Sequence, residues 1–223
     1  MAQRSARELT SSNLLLCEGT DDVGFFQGLI RQRNLPDYCI RTTSEKRGLP
    51  AGYTKFGRAL RGVRTATGFD RVRRVLLVAD NDEDPVGRFQ NIATQVQELL
   101  GASPPAPLQS IAVDNYELAI MMVPWTGVAG RLETLCIESA QNRDSHIADF
   151  VDEFVDHAGI VGRWNDDLAV KDAWLRSDLA IRCKQNPFIY LGTAFTEHPE
   201  LIPLDHGSFD QIANFVRDFA VKP

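Results

Sequence analysis

The chain has 223 residues, of which 43% are hydrophobic and 24% are charged, and its formal net charge is −6. This composition is that of an ordinary globular protein, and it excludes a disordered chain, a fibrous repeat and two full-sized domains. The negative net charge argues against a protein that coats nucleic acid through bulk electrostatics, because such proteins are normally basic.

Two further features of the sequence predict a cytoplasmic protein with no membrane partner. No apolar run approaches the roughly 18 residues that are needed to cross a bilayer, and residues 1–12 are polar rather than a signal sequence. The four cysteines lack the paired spacing of a zinc site and the density of a disulfide scaffold. We therefore expect reduced thiols that are mostly buried.

The first half of the sequence alternates predicted strands with predicted helices. Short apolar runs that are typical of strands occupy residues 13–17, 38–42, 75–79 and 110–113. Apolar residues at helical spacing follow the first and third runs, and one further helix is expected within the glycine-punctuated segment 48–68. This alternation implies an α/β fold with a mainly parallel sheet flanked by helices.

The second half of the sequence has a helical pattern from Gly130 onward. Amphipathic helices are predicted at residues 147–157, 167–182 and 209–219. We therefore expect an α/β core over residues 1–128. Residues 129–223 are predicted to form a mainly helical cap or subdomain that packs on this core.

Acidic residues follow two of the predicted strands. Glu18 comes directly after the first strand, whereas Asp80 and Asp82 follow the strand at 75–79. In an α/β sheet, ligands gather beyond the carboxyl ends of the strands. Residues two apart in an extended segment point the same way, so Asp80 and Asp82 can face one ion while Asn81 points aside. Oxygen ligands of this kind are what Mg²⁺ requires.

Each acidic turn taken alone also has an ordinary structural explanation. Surface turns favour Asp and Asn because these side chains hydrogen-bond to the backbone, and acids at a helix start complement the helix dipole. The occurrence of two such turns, each directly after an apolar strand, favours a functional site.

The two acidic turns resemble the motifs of the Toprim-domain superfamily. Residues 14–26, LLLCEGTDDVGFF, resemble its first motif, an apolar strand followed by Glu-Gly and an acid that opens a helix. Residues 78–82, VADND, resemble its Asp-x-Asp motif. The superfamily includes topoisomerases, bacterial primases, ribosomal-RNA maturases and the overcoming-lysogeny-defect nucleases. The resemblance is strongest to small stand-alone Toprim-like proteins of uncharacterised function that are related to the last of these.

The resemblance implies roles for individual residues. Glu18 would be the general acid or base and also a metal ligand, while Asp80 and Asp82 would bind Mg²⁺, for which Mn²⁺ can substitute. Glu133 is the candidate for a further metal ligand, with a solvated helix surface as the alternative. The positions assigned to support the site are Gly19, Asp22 and Asp84. The sequence contains no match to the zinc-binding segment of a primase, the tyrosine nucleophile domain of a topoisomerase or the phosphate-binding loop of an ATPase.

A basic segment separates the two acidic turns. Residues 41–74 contain ten Lys or Arg and two acids. Cations in this segment can meet phosphates and offset the repulsion between carboxylates and a nucleic-acid backbone. The candidate phosphate-binding residues are Lys55, Arg58 and Arg61. The alternative is a solvated, charged connection, because residues three apart spread over half a helix rather than forming a tight stripe.

Together, these features predict a Mg²⁺-dependent nuclease or related phosphoryl-transfer enzyme that acts on DNA or RNA. Its partner would be a nucleic acid or a nucleotide. The alternative function is a non-catalytic module, whose metal site binds a nucleotide or a nucleic-acid end as part of a larger assembly with a partner protein.

Overall fold

A computed structural model describes residues 8–43, 52–157 and 166–221 of the chain. The strands are β1 (Asn13–Cys17), β2 (Cys39–Thr42), β3 (Arg74–Asp80), β4 (Ser110–Val113) and β5 (Tyr116–Val123). They form one sheet in the order β2-β1-β3-β5-β4. All neighbouring strands are parallel except β4, which pairs antiparallel with β5 at one edge. The predicted α/β fold with a mainly parallel sheet is confirmed.

Helices flank this sheet and make up the C-terminal part of the chain. Those described are α1 (Thr20–Gln32), α2 (Phe56–Arg64), α3 (Pro85–Leu100), α4 (Leu132–Arg143), α5 (Ser145–His157), α6 (Asp167–Arg182), α7 (Leu191–Glu197) and α8 (Asp210–Val221). Every element described from Leu132 onward is helical, as the sequence pattern predicts. Among the helices described, none is both long and apolar enough to cross a membrane.

The two faces of the sheet are covered by different helices. Along β1, Leu15 and Cys17 belong to one hydrophobic cluster, while Leu14 and Leu16 belong to the other. This alternation follows from the two-residue period of a strand. Side chains from α1 and from α4 to α8 complete the first cluster, whereas α2 and α3 complete the second. The C-terminal helices therefore share one hydrophobic core with the sheet.

Two elements are missing from the sequence-based prediction, namely β5 and α7. Strand β5 has eight residues, most of them apolar, and lies between β3 and β4. It follows β4 after only two residues, Asp114 and Asn115, and Asp114 has a φ of +49°. A two-residue turn with Asp or Asn at positive φ is typical of a β-hairpin, and this hairpin makes β4 an antiparallel edge strand.

Candidate functional site

Glu18 lies between β1 and α1, at the carboxyl edge of the sheet. Its backbone N–H donates a hydrogen bond to the Val78 carbonyl of β3 at 3.1 Å, which holds the end of β1 against β3. Gly19 follows, and its backbone N–H donates to Asp22 Oδ2 at 2.7 Å. A carboxylate in the first turn of a helix also complements the helix dipole. Gly19 and Asp22 therefore fix the turn that carries Glu18.

Asp80, the last residue of β3, joins this edge of the sheet to α4. Its Oδ1 accepts a hydrogen bond from the backbone N–H of Leu132 at 3.1 Å. Because Leu132 is the first residue of α4, this bond satisfies one of the unpaired amides at the start of the helix. The next residue, Glu133, is thereby brought to the same edge of the sheet as Asp80.

A cavity of about 310 Å³ brings these acids together. The acidic residues that line it are Glu18, Asp21, Asp22, Asp80 and Glu133. No Lys or Arg is among the lining residues in the part of the chain that the structure describes. We call this space the carboxylate cavity, and the sequence-predicted residues Glu18, Asp80 and Glu133 all lie in it.

Burial raises the pKa of four carboxyl groups in the carboxylate cavity, and neighbouring acids raise the pKa of three of them further. Burial raises the pKa of Asp80 well above its ordinary value, and the charges of Asp22, Glu133 and Glu18 raise it further. Burial and neighbouring acids raise the pKa of Asp22 to about 7, although the hydrogen bond from the Gly19 backbone lowers it. Burial also raises the pKa of both Glu18 and Glu133. Near neutral pH, this cluster therefore either retains protons or needs a cation to neutralise it.

Asp82 lies outside the carboxylate cavity and is bound by two arginines. Its backbone has a φ of +47°, and its carboxylate contacts the guanidinium groups of Arg88 and Arg131. The assumption that the chain is extended from Asp80 through Asp82 is therefore wrong, because a left-handed residue turns the chain. The buried Asn81 side chain does point aside, donating hydrogen bonds to the carbonyls at positions 125 and 128. The role of Asp82 as a metal ligand stays a prediction.

Arg88 and Arg131 line a second and larger cleft of about 910 Å³, which we call the arginine cleft. Arg88 connects the two spaces, because its Nη1 lies 3.7 Å from Glu18 Oε1. Asp84 also lines the arginine cleft, and it caps α3 by accepting a hydrogen bond from the Gly87 N–H at 2.9 Å. Its position close to the site thus has a structural explanation as a helix cap.

The predicted phosphate-binding residues lie on or beside α2. Arg58 and Arg61 are exposed on this helix, and Lys55 directly precedes it. None of the three lines the carboxylate cavity or the arginine cleft. Residues 44–51 of the basic segment lie outside the described residues. Phosphate binding by these three cations stays a prediction.

The carboxylate cavity has donor chemistry that fits Mg²⁺. Within residues 8–43, 52–157 and 166–221, no three His, Cys, Asp or Glu side chains are grouped closely enough to hold a metal ion on their own. Mg²⁺, however, is commonly held by one or two carboxylates and keeps several waters. Glu18 Oε2 is buried without a hydrogen-bond partner, which is costly unless a cation or proton compensates it.

Arg88 and Arg131 were not among the site residues predicted from the sequence, although both lie near the start of a helix. Arg88 is the fourth residue of α3, and Arg131 immediately precedes α4. Basic residues near the positive end of a helix dipole are unfavourable unless an acid compensates them. Two arginines lie near helix starts, and one of them closely follows the second acidic turn. This position indicates that each arginine pairs with an acidic residue of the site.

Comparison with known proteins identifies a family. The model of a family described as "Protein of unknown function (DUF3226)" matches residues 12–220. No curated protein and no solved structure matches the chain. The family description names no activity, so the Toprim resemblance stays a prediction. Because the matched region contains all five described strands and spans most of the sequence, the chain belongs to the DUF3226 family.

Proposed function

We propose that this protein is a Mg²⁺-dependent nuclease or related phosphoryl-transfer enzyme of the Toprim kind that acts on DNA or RNA. The observation that carries the proposal is the carboxylate cavity, where Glu18, Asp22, Asp80 and Glu133 meet without a lining Lys or Arg among the described residues. Buried like charges destabilise a fold, so a cluster of this kind favours a functional explanation.

The cation would be held by Glu18 and Asp80. Glu133 is the candidate for a further ligand and would have to move closer to them, because no three such groups are close enough among the described residues. Asp82 stays a candidate ligand if its carboxylate leaves the two arginines. When bound, Mg²⁺ would supply the positive charge that lets a phosphate group approach these acids and that acidifies a water. Asp22 is better suited to supporting the Glu18 turn than to binding the ion, because its Oδ2 already accepts a hydrogen bond from the Gly19 backbone N–H.

Glu18 is the residue best placed to exchange a proton with the attacking or leaving oxygen. Burial raises its pKa, and a proton carrier works best when its pKa lies near the working pH. The Arg88 guanidinium and the backbone amides of Tyr53 and Asp80 lower the same pKa, which keeps the ionised form accessible. Burial and these three groups therefore act on the pKa of Glu18 in opposite directions.

The basic helix α2 would contact the backbone of a nucleic acid. It follows a short segment in which Gly52 lines the carboxylate cavity and Tyr53 lines the arginine cleft. Arg58 and Arg61 are exposed on this helix, which leaves them available to phosphates. We place the protein in the cytoplasm, where its four cysteines, all free and buried, would stay reduced.

A cleavage assay tests the proposed function. Purified protein is incubated with labelled single- and double-stranded DNA and RNA in Mg²⁺, Mn²⁺ or EDTA. We expect cleavage of at least one of these substrates in Mg²⁺ or Mn²⁺ and none in EDTA. Metal-dependent binding without turnover would favour the alternative, a non-catalytic module for a nucleotide or nucleic-acid end. Neither cleavage nor metal-dependent binding would contradict both functions.

A further inference from the structure

The arginine cleft presents two cations that converge on one anion. The guanidinium groups of Arg88 and Arg131 both contact the carboxylate of Asp82. All three side chains are largely shielded from solvent, with exposed fractions of 17% for Arg88, 32% for Arg131 and 15% for Asp82. Ion pairs that are shielded in this way are screened less than those on an open surface.

Both arginines are held in place by other contacts. The Arg88 guanidinium carbon lies 3.6 Å from the centre of the Tyr53 ring, which is a favourable cation–π distance. Arg131 Nη1 lies 3.4 Å from Asp172 Oδ2 of α6. Removal of the Asp82 carboxylate would therefore leave two cations that still point to the same place.

Arg88 also has unused hydrogen-bonding capacity. Its Nη1 is buried and has no hydrogen-bond partner, although it lies 3.7 Å from Glu18 Oε1. Guanidinium groups bind carboxylates and phosphates in the same planar, paired manner, and a phosphate brings additional oxygens. An anion larger than a carboxylate would thus satisfy more of the Arg88 donors than Asp82 does.

Other acids that line the arginine cleft have separate roles. Asp84 caps α3, and Asp166 caps α6 by accepting a hydrogen bond from the Leu168 N–H at 2.8 Å. Glu83 is exposed to solvent. None of these three forms an ion pair with Arg88 or Arg131 in the described part of the chain. Asp82 is therefore the acid that would compete with a bound anion for both guanidinium groups.

We propose that Arg88 and Arg131 bind a phosphate group of the substrate, and that Asp82 is the internal anion which this phosphate displaces. The inference rests on the proposed function, since a phosphodiester substrate brings a phosphate beside Glu18. Displacement would also release the Asp82 carboxylate from the two arginines. Arg88 and Arg131 are then the residues that position the substrate.

The test measures phosphate binding without metal. Inorganic phosphate is titrated calorimetrically into wild-type protein, Asp82→Asn and Glu83→Gln, all in EDTA and at one ionic strength. Loss of an internal competitor raises the apparent affinity by the reciprocal of the fraction of time for which the site was free of that competitor. We expect Asp82→Asn to bind phosphate about 10-fold more tightly than wild type. Glu83→Gln removes one charge from the same cleft without touching the arginines and should change the affinity by less than about 3-fold.

A second variant keeps the proposal testable if Asp82→Asn does not fold. Arg131→Gln leaves Asp82 paired with Arg88 and should weaken phosphate binding at least about 5-fold relative to wild type. An equal increase in phosphate affinity in Asp82→Asn and Glu83→Gln would overturn the proposal, because it would show that only the net charge of the cleft matters. Unchanged affinity in Arg131→Gln would also overturn it. Because EDTA is present throughout, these outcomes are independent of whether the carboxylate cavity binds Mg²⁺ or supports cleavage.

Discussion

Glu18→Gln is expected to lower the rate of phosphodiester cleavage by roughly 10²- to 10⁴-fold. An amide cannot carry the proton that we assign to the Glu18 carboxyl, whereas it keeps the size of the side chain. The variant also removes one of the acids that repel each other in the carboxylate cavity, so its fold should be retained. Single-turnover rates in saturating Mg²⁺, on a substrate that the wild-type protein cleaves, measure the effect.

Glu83→Gln provides the matched control for this prediction. It makes the same chemical change at an exposed acid of the second acidic turn, and it should keep the rate within about 2-fold. Metal affinity is measured in parallel, because a Glu18 that also binds the ion would lose affinity as well as turnover. A wild-type cleavage rate in Glu18→Gln would rule out Glu18 as the proton carrier.

Gly24→Ala is expected to destabilise the fold by about 3 kcal/mol, the upper range for overpacking of a well-filled interior. Helices α1 and α7 approach closely at this position. A Cβ added to Gly24 would lie 2.3 Å from the Gly192 carbonyl oxygen and 2.4 Å from its Cα. Because these are backbone atoms, the two helices would have to move apart. Equilibrium unfolding in urea measures the change in free energy.

The same displacement would disturb the candidate site. Asp21 lines the carboxylate cavity, and its Oδ1 accepts a hydrogen bond from the Gly192 N–H at 2.9 Å. Gln27→Ala, on the exposed side of α1, is the control and should change stability by less than about 0.5 kcal/mol. Gly→Ala normally favours a helix by about 1 kcal/mol. A stability equal to or above wild type in Gly24→Ala would therefore contradict the close approach of α1 and α7.

Strands that are buried on both faces were the most predictable elements. The apolar run 13–17 coincides with β1, and the run 75–79 lies within β3. A central parallel strand needs apolar side chains on both faces, so a short continuous run of them is informative. The amphipathic pattern at 167–182 coincides with α6 for a related reason, since a helix that covers a core repeats its apolar residues.

Helix α7 and strand β5 were not predicted, for different reasons. Helix α7 has only seven residues, which is too short for a helical period to be recognised. Strand β5 is apolar from Leu118 to Val123, and periodicity alone does not distinguish a buried strand from a segment of buried helix. Its position next to the Asp114-Asn115 turn carries the missing information, because that turn is typical of a hairpin.

The part of the candidate site that lies at the ends of strands was predictable from the sequence. Glu18 and Asp80 reach the same edge because β1 and β3 are neighbouring parallel strands. Asp82 differs because a positive φ at a single residue turns its side chain towards the arginines. Its partner Arg131 is 49 positions away in sequence. This contact depends on how α4 packs against the sheet. The spacing of residues within a single sequence segment does not reveal such packing.

Titration of the purified protein with Mg²⁺ at neutral pH tests most directly whether the carboxylate cavity holds a divalent cation. We expect wild-type protein to bind and Asp80→Asn to bind at least about 10-fold more weakly, a loss typical even of residues that only support a metal ligand. Asp84→Asn removes the same charge outside the cavity and preserves the helix cap, so it should bind like wild type. Wild-type protein that binds no divalent cation, or Asp80→Asn that binds it as tightly, would contradict a metal site in the carboxylate cavity.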